Sequence, residues 1–257
     1  MHTLEEQPPP GSLQSIAVLV PAWEPEPALV PLVLSLVASG FGAVVLVNDG
    51  SHPQSDALFA ELAALPAVHL LRHAVNLGKG RALKTGFNFC LAELPHLNGV
   101  VTADADGQHT LEDIVHVAAA LQTSMQTSAR AIVLGVRSFA SGVPFRSRFG
   151  NTLTRHIFSF VTGTKLADTQ TGLRAFPRNL LSQLLHLDGE RYEYEMTVLA
   201  HLCRRPKPIE IPIQTIYIDS NRSSHFDPVR DSMRIYLVLA RFYFSPIRAE
   251  ASSPPGS

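Results

Sequence analysis

Continuous apolar runs, each only a few residues long, recur through the first part of the chain and limit the folds open to it. A short apolar run bounded by turn residues is typical of a strand buried on both faces. Stretches with helical spacing lie between the runs, and this alternation predicts an α/β fold with a mostly parallel central sheet flanked by helices. The first four runs are Ile16–Val20, Ala43–Val47, Val68–Leu71 and Gly99–Ala103.

The pattern is less regular after the fourth run. Gly135–Phe149 is expected to be a loop, and Asp168–Phe176 a polar stretch that then turns. Pro212 inside the run Ile209–Ile218 indicates an edge strand, because proline cannot donate a ladder hydrogen bond. The remaining predicted elements are a strand at Ala131–Leu134 and helices at Ala28–Ala38, Pro53–Leu65, Ala82–Leu91, Thr110–Gln122, Asn151–Val161, Glu190–Cys203 and Pro228–Phe244.

Composition narrows the class of protein further. The chain has 257 residues, 46% of them hydrophobic, which is enough for a substantial core, and its net charge of -1 gives no reason to expect nucleic-acid binding. Cys90 and Cys203 lack metal-ligand spacing, and the start of the chain lacks the pattern of a secretory signal, so a cytoplasmic location is predicted. The predicted parts are a disordered tail at 1–14, a main domain at 15–227, an amphipathic helix at 228–247 and a disordered tail at 248–257.

Acidic residues follow the fourth apolar run directly. Asp104, Asp106 and Gln108 are spaced two apart, so in an extended chain their side chains share a face and can converge. Two carboxylates held together repel each other unless a positive charge lies between them. A divalent cation with oxygen ligands meets that need, so these three residues are the candidate metal ligands.

A basic segment with glycines precedes the third predicted helix. Gly78 and Gly80 flank Lys79, and backbone amides at that helix start could attract phosphate together with the lysine. The segment is not a Walker loop, because the upstream glycine is missing and Arg81 replaces the serine or threonine. A flexible basic turn explains the segment equally well when it is considered alone.

Several interpretations of the acidic cluster compete. An EF-hand calcium loop is excluded, because its glycine would come later and its twelfth position is Val115 rather than an acid. The cluster also resembles haloacid-dehalogenase-type phosphohydrolases, with Asp104 as nucleophile and Asp106 as acid/base, although that motif usually lies on the first strand and has threonine in place of Gln108. Metal-assisted transfer of a sugar from a nucleotide diphosphate and a solvated polar turn are the other two interpretations.

The last predicted helix is amphipathic. Arg230, Arg234 and Arg241 fall on one face at helical spacing, and most other positions are apolar or aromatic. Such a helix can lie in a membrane interface, or it can pack on the domain with its arginines in water. The sequence leaves both interpretations open.

Short motifs occur in a fixed order along the chain: Pro21–Trp23, Val47–Ser51, Asn76–Gly80, Asp104–His109, Gly135–Arg137, Asp168–Phe176 and Tyr192–Glu195. In this order they resemble the family 2 glycosyltransferases of the GT-A fold. Within that family they most resemble the dolichyl-phosphate mannosyltransferase and polyprenyl-phosphate glycosyltransferase branch. The resemblance extends from about Ile16 to Phe244.

The resemblance implies a role for each matching residue. Asp104, Asp106 and Gln108 would hold Mg²⁺ or Mn²⁺, and Arg137, Arg148 and Arg222 would contact an acceptor phosphate. The implied nucleotide-sugar site consists of Pro21, Ala22, Trp23, Glu24, Asp49, Lys79, Asp104, Ala105 and Asp106, and the implied catalytic residues are Asp106, Arg137, Arg148 and Asp168.

The implied activity is inverting, metal-dependent transfer of a sugar from a GDP- or UDP-sugar to a polyprenyl phosphate. A lipid phosphate is already anionic and needs positive groups rather than a strong base, and arginines pair well with phosphate. A sugar hydroxyl acceptor would need a general base, for which Asp168 is the candidate. The protein would work at the cytosolic face of a membrane, in peripheral contact through its C-terminal helix. A catalytically silent nucleotide-binding protein is the non-enzymatic alternative.

Overall fold

The structure is a computed structural model that describes residues 13–126, 131–137, 145–203, 206–214 and 230–245, without the side chains of 145–151. The described chain begins with a 3₁₀ turn, Leu13–Ser15. The disordered tail predicted at 1–14 is wrong for its last two residues, which belong to this turn, and residues 1–12 lie outside the described residues. The tail predicted at 248–257, the chain at 215–229 and Arg222 within it also lie outside the described residues.

One seven-stranded sheet forms the centre of the molecule, with strand order β3-β2-β1-β4-β6-β5-β7. β1 lies between β2 and β4 and is parallel to both, and β3 pairs with β2, also in parallel. β6 runs antiparallel to β4 and β5, whereas β5 and β7 are parallel. The strands are β1 Ile16–Ala22, β2 Ala43–Asn48, β3 Val68–Arg72, β4 Gly99–Thr102, β5 Val133–Arg137, β6 Arg174–Pro177 and β7 Ile209–Ile213.

Helices cover both faces of the sheet, because successive side chains of the central strands point to opposite sides. Ala17 and Leu19 pack into one core cluster, whereas Ile16, Val18 and Val20 pack into the other. The first cluster includes residues of α3, α5, α6, α7 and α8, and the second includes residues of α1, α2 and α4. The helices are α1 Leu29–Ala38, α2 Asp56–Ala63, α3 Lys79–Glu93, α4 Leu111–Gln126, α5 Phe145–Thr162, α6 Arg178–Leu185, α7 Glu193–Leu202 and α8 Arg230–Phe244, with a 3₁₀ turn at Pro53–Ser55.

The predicted mostly parallel α/β sheet is confirmed, and so are the first four strands and the edge position of β7. The predicted loop Gly135–Phe149 is wrong at both ends. Gly135–Arg137 completes β5, where it pairs with β7, and α5 begins at Phe145. Gly135–Arg137 lack a strong apolar pattern, and their pairing with β7, which is distant in sequence, decides their conformation.

β6 and α6 were not predicted. β6 begins with an arginine and ends with a proline, which are poor strand signals. Arg174 nevertheless lies buried at the start of β6, because its guanidinium donates hydrogen bonds to the carbonyl oxygens of Thr169, Thr171 and Glu195. A charged side chain whose donors are matched by carbonyl oxygens can be buried at modest cost.

Candidate active site

An open cleft of about 260 Å³ lies beyond the carboxyl ends of β1, β2 and β4. Parallel strands that end at the same edge of a sheet place the residues that follow them side by side, and ligands of open α/β sheets bind there. The residues that line the cleft are Pro21, Ala22, Trp23, Glu24, Pro25, Glu26, Asp49, Asn76, Gly78, Lys79, Ala82, Asp104, Ala105, Asp106, Arg191 and Tyr192. The structure therefore brings together all the predicted nucleotide-sugar residues.

Asp104 and Asp106 follow β4 and both face the cleft. Burial and the charge of Asp104 raise the pKa of Asp106, against a hydrogen bond of 3.0 Å from the Gln108 backbone amide to Oδ1. Burial also works against the charged form of Asp104, but Lys79 and His109 hold its pKa well below the usual range. The pair is therefore asymmetric: Asp104 is a stabilised anion, and Asp106 carries a repulsion that a cation would relieve.

The side chain of Lys79, the first residue of α3, reaches Asp104. Its ammonium nitrogen lies 2.7 Å from Oδ1 of Asp104 and 2.9 Å from Oε2 of Glu195, and 5.8 Å from the ring centre of Tyr192. Burial opposes the charge, yet the two carboxylates raise the pKa of Lys79 above its ordinary value. Lys79 is thus a permanent positive charge beside the acidic pair.

Asp49 holds the loop that leads into α3. Its Oδ1 accepts hydrogen bonds from Nδ1 of His73 at 2.6 Å and from the Leu77 amide at 2.9 Å, and its Oδ2 accepts from Nδ2 of Asn76 and the Gly78 amide. Asp49 is 2% exposed, so these donors match its buried oxygens. Gly78 has a φ of 106°, a conformation that favours glycine, and it sets the start of α3.

Glu24 lies in the turn after β1 and also lines the cleft. It has a φ of 47°, its Oε1 accepts from the His52 amide at 2.7 Å, and its own amide donates to Oγ of Ser51. Trp23 beside it is 39% exposed, so part of its ring remains open to the cleft. The turn after β1 is thereby tied to the turn after β2.

Arg137, at the end of β5, forms a partly buried ion pair with the fully buried Asp168. Nε of Arg137 donates to Oδ2 of Asp168 at 2.6 Å, and its second terminal nitrogen donates to Oδ1 at 3.2 Å. The Gln170 amide also donates to Oδ1 at 2.9 Å, and Asp168 is 0% exposed. Asp168 therefore fixes Arg137 and its own loop, and neither residue is among those that line the described cleft.

The loop after Asp168 presses against Asp104. Gly172 accepts a hydrogen bond of 2.8 Å from Oγ1 of Thr102, and a Cβ atom on Gly172 would overlap both oxygens of Asp104. Glycine at this position therefore allows the loop to lie directly on the acid. The sequence offered the motif Asp168–Phe176 but no sign of this contact.

Three further predicted site residues are not seen among the residues that line the described cleft, and two residues that were not predicted individually lie at or beside it. Gln108 contributes its backbone amide to Asp106, and it is not among the residues that line the described cleft. Arg148 lies in α5, with its side chain outside the description, and Arg222 lies outside the described residues. Glu195 and Arg191 were not singled out individually; the only sequence signal for Glu195 was the motif Tyr192–Glu195.

The residues present fit a divalent cation that shares its ligands with a substrate. In the described residues, no group of three His, Cys, Asp or Glu side chains is arranged to hold a metal ion alone. Asp104 and Asp106 offer carboxylate oxygens at an open cleft, and Mg²⁺ is commonly bound by one or two carboxylates, water and substrate phosphates. Asp104 and Asp106 would hold the ion.

Comparison with known proteins gives a consistent result. The profile of glycosyl transferase family 2 matches residues 17–185. An uncharacterized protein of Methanocaldococcus jannaschii is 31% identical over 211 residues, which are 81% of this chain and 84% of that protein. The UDP-N-acetylglucosamine–dolichyl-phosphate N-acetylglucosaminyltransferase of Methanococcus voltae is 28% identical over 79% of this chain and 86% of its own length.

A solved structure shares the fold. Glucosyl-3-phosphoglycerate synthase from Mycobacterium tuberculosis, crystallised with Mn²⁺, UDP and glucosyl-3-phosphoglycerate, superposes with a TM-score of 0.64. The match covers 89% of this chain and 79% of that chain at 15% sequence identity. The predicted GT-A architecture is confirmed by this likeness.

Replacing Asp49 by asparagine tests its structural role. In Asp49→Asn an amide NH₂ would face two of the four donors, and we expect the free energy of unfolding to fall by about 2–3 kcal/mol. Urea unfolding measures it. The matched control is Asp56→Asn, which removes an exposed pair with Arg72 and should cost less than about 1 kcal/mol. Equal losses in both variants would contradict the role assigned to Asp49.

Proposed function

Because the chain belongs to glycosyl transferase family 2 and is a glycosyltransferase, we propose that it moves a sugar from a nucleotide-diphosphate sugar to a polyprenyl phosphate. The observation that carries the proposal is the cleft in which Asp104, Asp106 and Lys79 meet at the carboxyl ends of the strands. The family match supports sugar transfer over the phosphohydrolase alternative for the same acids.

The donor side follows from the charges of the cleft. A GDP- or UDP-sugar would place its diphosphate beside Asp104 and Asp106, with Mg²⁺ or Mn²⁺ held between them. The ion would neutralise the charge that develops on the departing nucleotide diphosphate. Lys79 supplies a second positive charge on the same side, and Trp23 and Tyr192 supply aromatic surface to the cleft. The predicted nucleotide-sugar residues all line this cleft, which supports its role as the donor site.

The state of Asp168 favours a phosphate acceptor over a hydroxyl acceptor. A general base needs a carboxylate oxygen that is open to the proton it removes. Both oxygens of Asp168 already accept hydrogen bonds from Arg137 or Gln170, and the residue is fully buried. A phosphate acceptor is anionic without a base, so direct, inverting displacement fits this site better.

The acceptor phosphate would be bound by arginines. Arg137 is held by Asp168 and keeps 24% of its side chain exposed, so the ion pair can orient it without covering it. We include Arg148 and Arg222 in the same role on the basis of the resemblance to the family. The Methanococcus voltae relative carries a dolichyl-phosphate acceptor in its name, which supports a lipid phosphate for this chain.

Helix α8 suits contact with the surface of a membrane. None of the described helices is both long and apolar enough to span a bilayer. The exposed residues of α8 recur at helical spacing and include Met233, Leu237 and Phe244, which are 61%, 51% and 82% exposed. Phe160 of α5, 71% exposed, stacks on Tyr243 beside them. We propose that this apolar stripe, with Arg230 and Arg241 along it, contacts the cytosolic face of a membrane.

Asp106→Asn tests the donor site. The variant keeps the size of the side chain but loses a metal-binding charge, so we expect sugar transfer to fall by about 100-fold or more with an unchanged melting temperature. The assay incubates the full chain with labelled UDP- and GDP-sugars, MnCl₂ and polyprenyl phosphate. Asp188→Asn, an exposed change of the same kind, should keep full transfer. Full activity of Asp106→Asn would refute the metal role.

The same incubation separates the alternative functions. Transfer to a saccharide in place of the lipid would favour a hydroxyl acceptor. Tight binding of a nucleotide diphosphate without turnover on any acceptor would favour a catalytically silent protein.

Leu237→Glu tests the membrane contact. Burying one leucine side chain is worth about 1.5–3 kcal/mol, so we expect a loss of binding to anionic lipid vesicles of about tenfold or more. Vesicle co-sedimentation measures it. Leu34→Glu in α1, where the leucine is 46% exposed, is the control and should bind as the unmodified chain does. Equal binding by both variants would exclude α8 as the contact surface.

A further inference from the structure

We propose that Lys79 is an internal cation that pairs with Asp104 of the acidic pair before metal binds, and that Glu195 retains Lys79 in the cleft once a metal–diphosphate complex takes over Asp104. The inference rests on the proposed function, because it assumes that Asp104 and Asp106 hold the metal. It goes further, since it assigns a coupling between metal and donor to two named side chains.

The first support is the position of the ammonium group. It makes two short ion pairs at once, 2.7 Å to Asp104 and 2.9 Å to Glu195, and the lysine side chain is 18% exposed. The two acids come from the end of β4 and from α7, on different elements around the cleft. A lysine that bridges two carboxylates can release one and remain paired with the other.

The second support is the crowding around Asp104. Its Oδ1 contacts Lys79, while its Oδ2 lies 3.4 Å from Nε2 of His109, and Gly172 packs against the carboxylate. A divalent ion bound to Asp104 and Asp106 would come close to the ammonium group, and like charges at that separation repel strongly. Metal and Lys79 therefore compete for Asp104.

The third support is that the backbone at both ends of the bridge is fixed. Gly78 precedes the lysine in a conformation that favours glycine, and a Cβ there would lie 2.5 Å from the carbonyl oxygen of Glu190. The carbonyl oxygen of Glu195 accepts a hydrogen bond of 2.6 Å from buried Arg174. Rotation of the Lys79 side chain is enough for the exchange of partners, so α3 and α7 need not move.

A consequence for the order of binding follows. A metal ion alone must displace Lys79 from Asp104 without offering the ammonium a new anion. A diphosphate that arrives with the metal supplies that anion, so each ligand strengthens the binding of the other. The cleft therefore selects the metal–diphosphate complex over free metal.

The test measures Mn²⁺ binding to the full chain from the electron paramagnetic resonance signal of free Mn²⁺, without and with inorganic pyrophosphate. Lys79→Met removes the competing charge, so Mn²⁺ alone should bind about fivefold tighter or more than to the unmodified chain. Pyrophosphate should then strengthen Mn²⁺ binding less in the variant than in the unmodified chain. Lys79→Arg keeps the charge and should retain the original coupling.

The control is Lys84→Met in the same helix. Lys84 pairs with Glu190 at 3.2 Å, lies over the ring of Tyr194, and does not line the cleft. This variant makes the same change in net charge and should leave the affinity for Mn²⁺ unchanged. Thermal melting checks that each variant is folded.

The outcomes distinguish this inference from the proposed function. If the unmodified chain binds Mn²⁺ with pyrophosphate but Lys79→Met binds Mn²⁺ alone no tighter, the exchange by Lys79 is wrong and the metal site stands. If Lys84→Met gains affinity equally, the effect is one of net charge and the exchange is again wrong. If no variant binds Mn²⁺ even with pyrophosphate, the metal-dependent function and the exchange both fail.

Discussion

The balance of charge around Asp104 is the constraint on which the candidate site depends. The end of β4 delivers two carboxylates to one small region, and the strand itself has no positive charge to offset them. The offset comes from Lys79 at the start of α3, with His109 close to the second oxygen. α3 and the loop before β6 both reach this one acid, and α7 reaches Lys79 through Glu195.

Two buried carboxylates hold the walls of the site by the same means. Asp49 accepts hydrogen bonds from backbone amides and from His73, and Asp168 accepts them from a backbone amide and from Arg137. Asp49 directly follows β2 and Asp168 lies in the loop between α5 and β6, and loops are the more mobile parts of a fold. Because donors match the oxygens of these buried acids, each acid is held in place together with the groups that donate to it.

The sequence predicted the parallel half of the sheet well because its strands are buried on both faces and therefore read as continuous apolar runs. It missed β6 because Arg174 and Pro177 are poor strand formers, and burial of that arginine depends on carbonyl oxygens from other segments. The acidic pair and Lys79 were found from local motifs. The ion pair between Lys79 and Glu195 depends on how α7 packs against α3, and no local sequence pattern predicts that packing.

The electrostatics of Tyr192 connect the cleft to helix α8. Burial raises the pKa of this cleft residue, and the carboxylates of Asp104, Glu195 and Asp231 add to the effect, against the charge of Lys79. Asp231 lies in the first turn of α8, so the start of that helix lies within electrostatic range of Tyr192. The exposed apolar side chains of α8 follow Asp231 along the helix as far as Phe244. A lipid phosphate combines a phosphate head, which suits the cleft, with a long apolar tail, which suits the exposed apolar side chains of α8. The cleft and the helix together therefore support a lipid phosphate more strongly than either does alone.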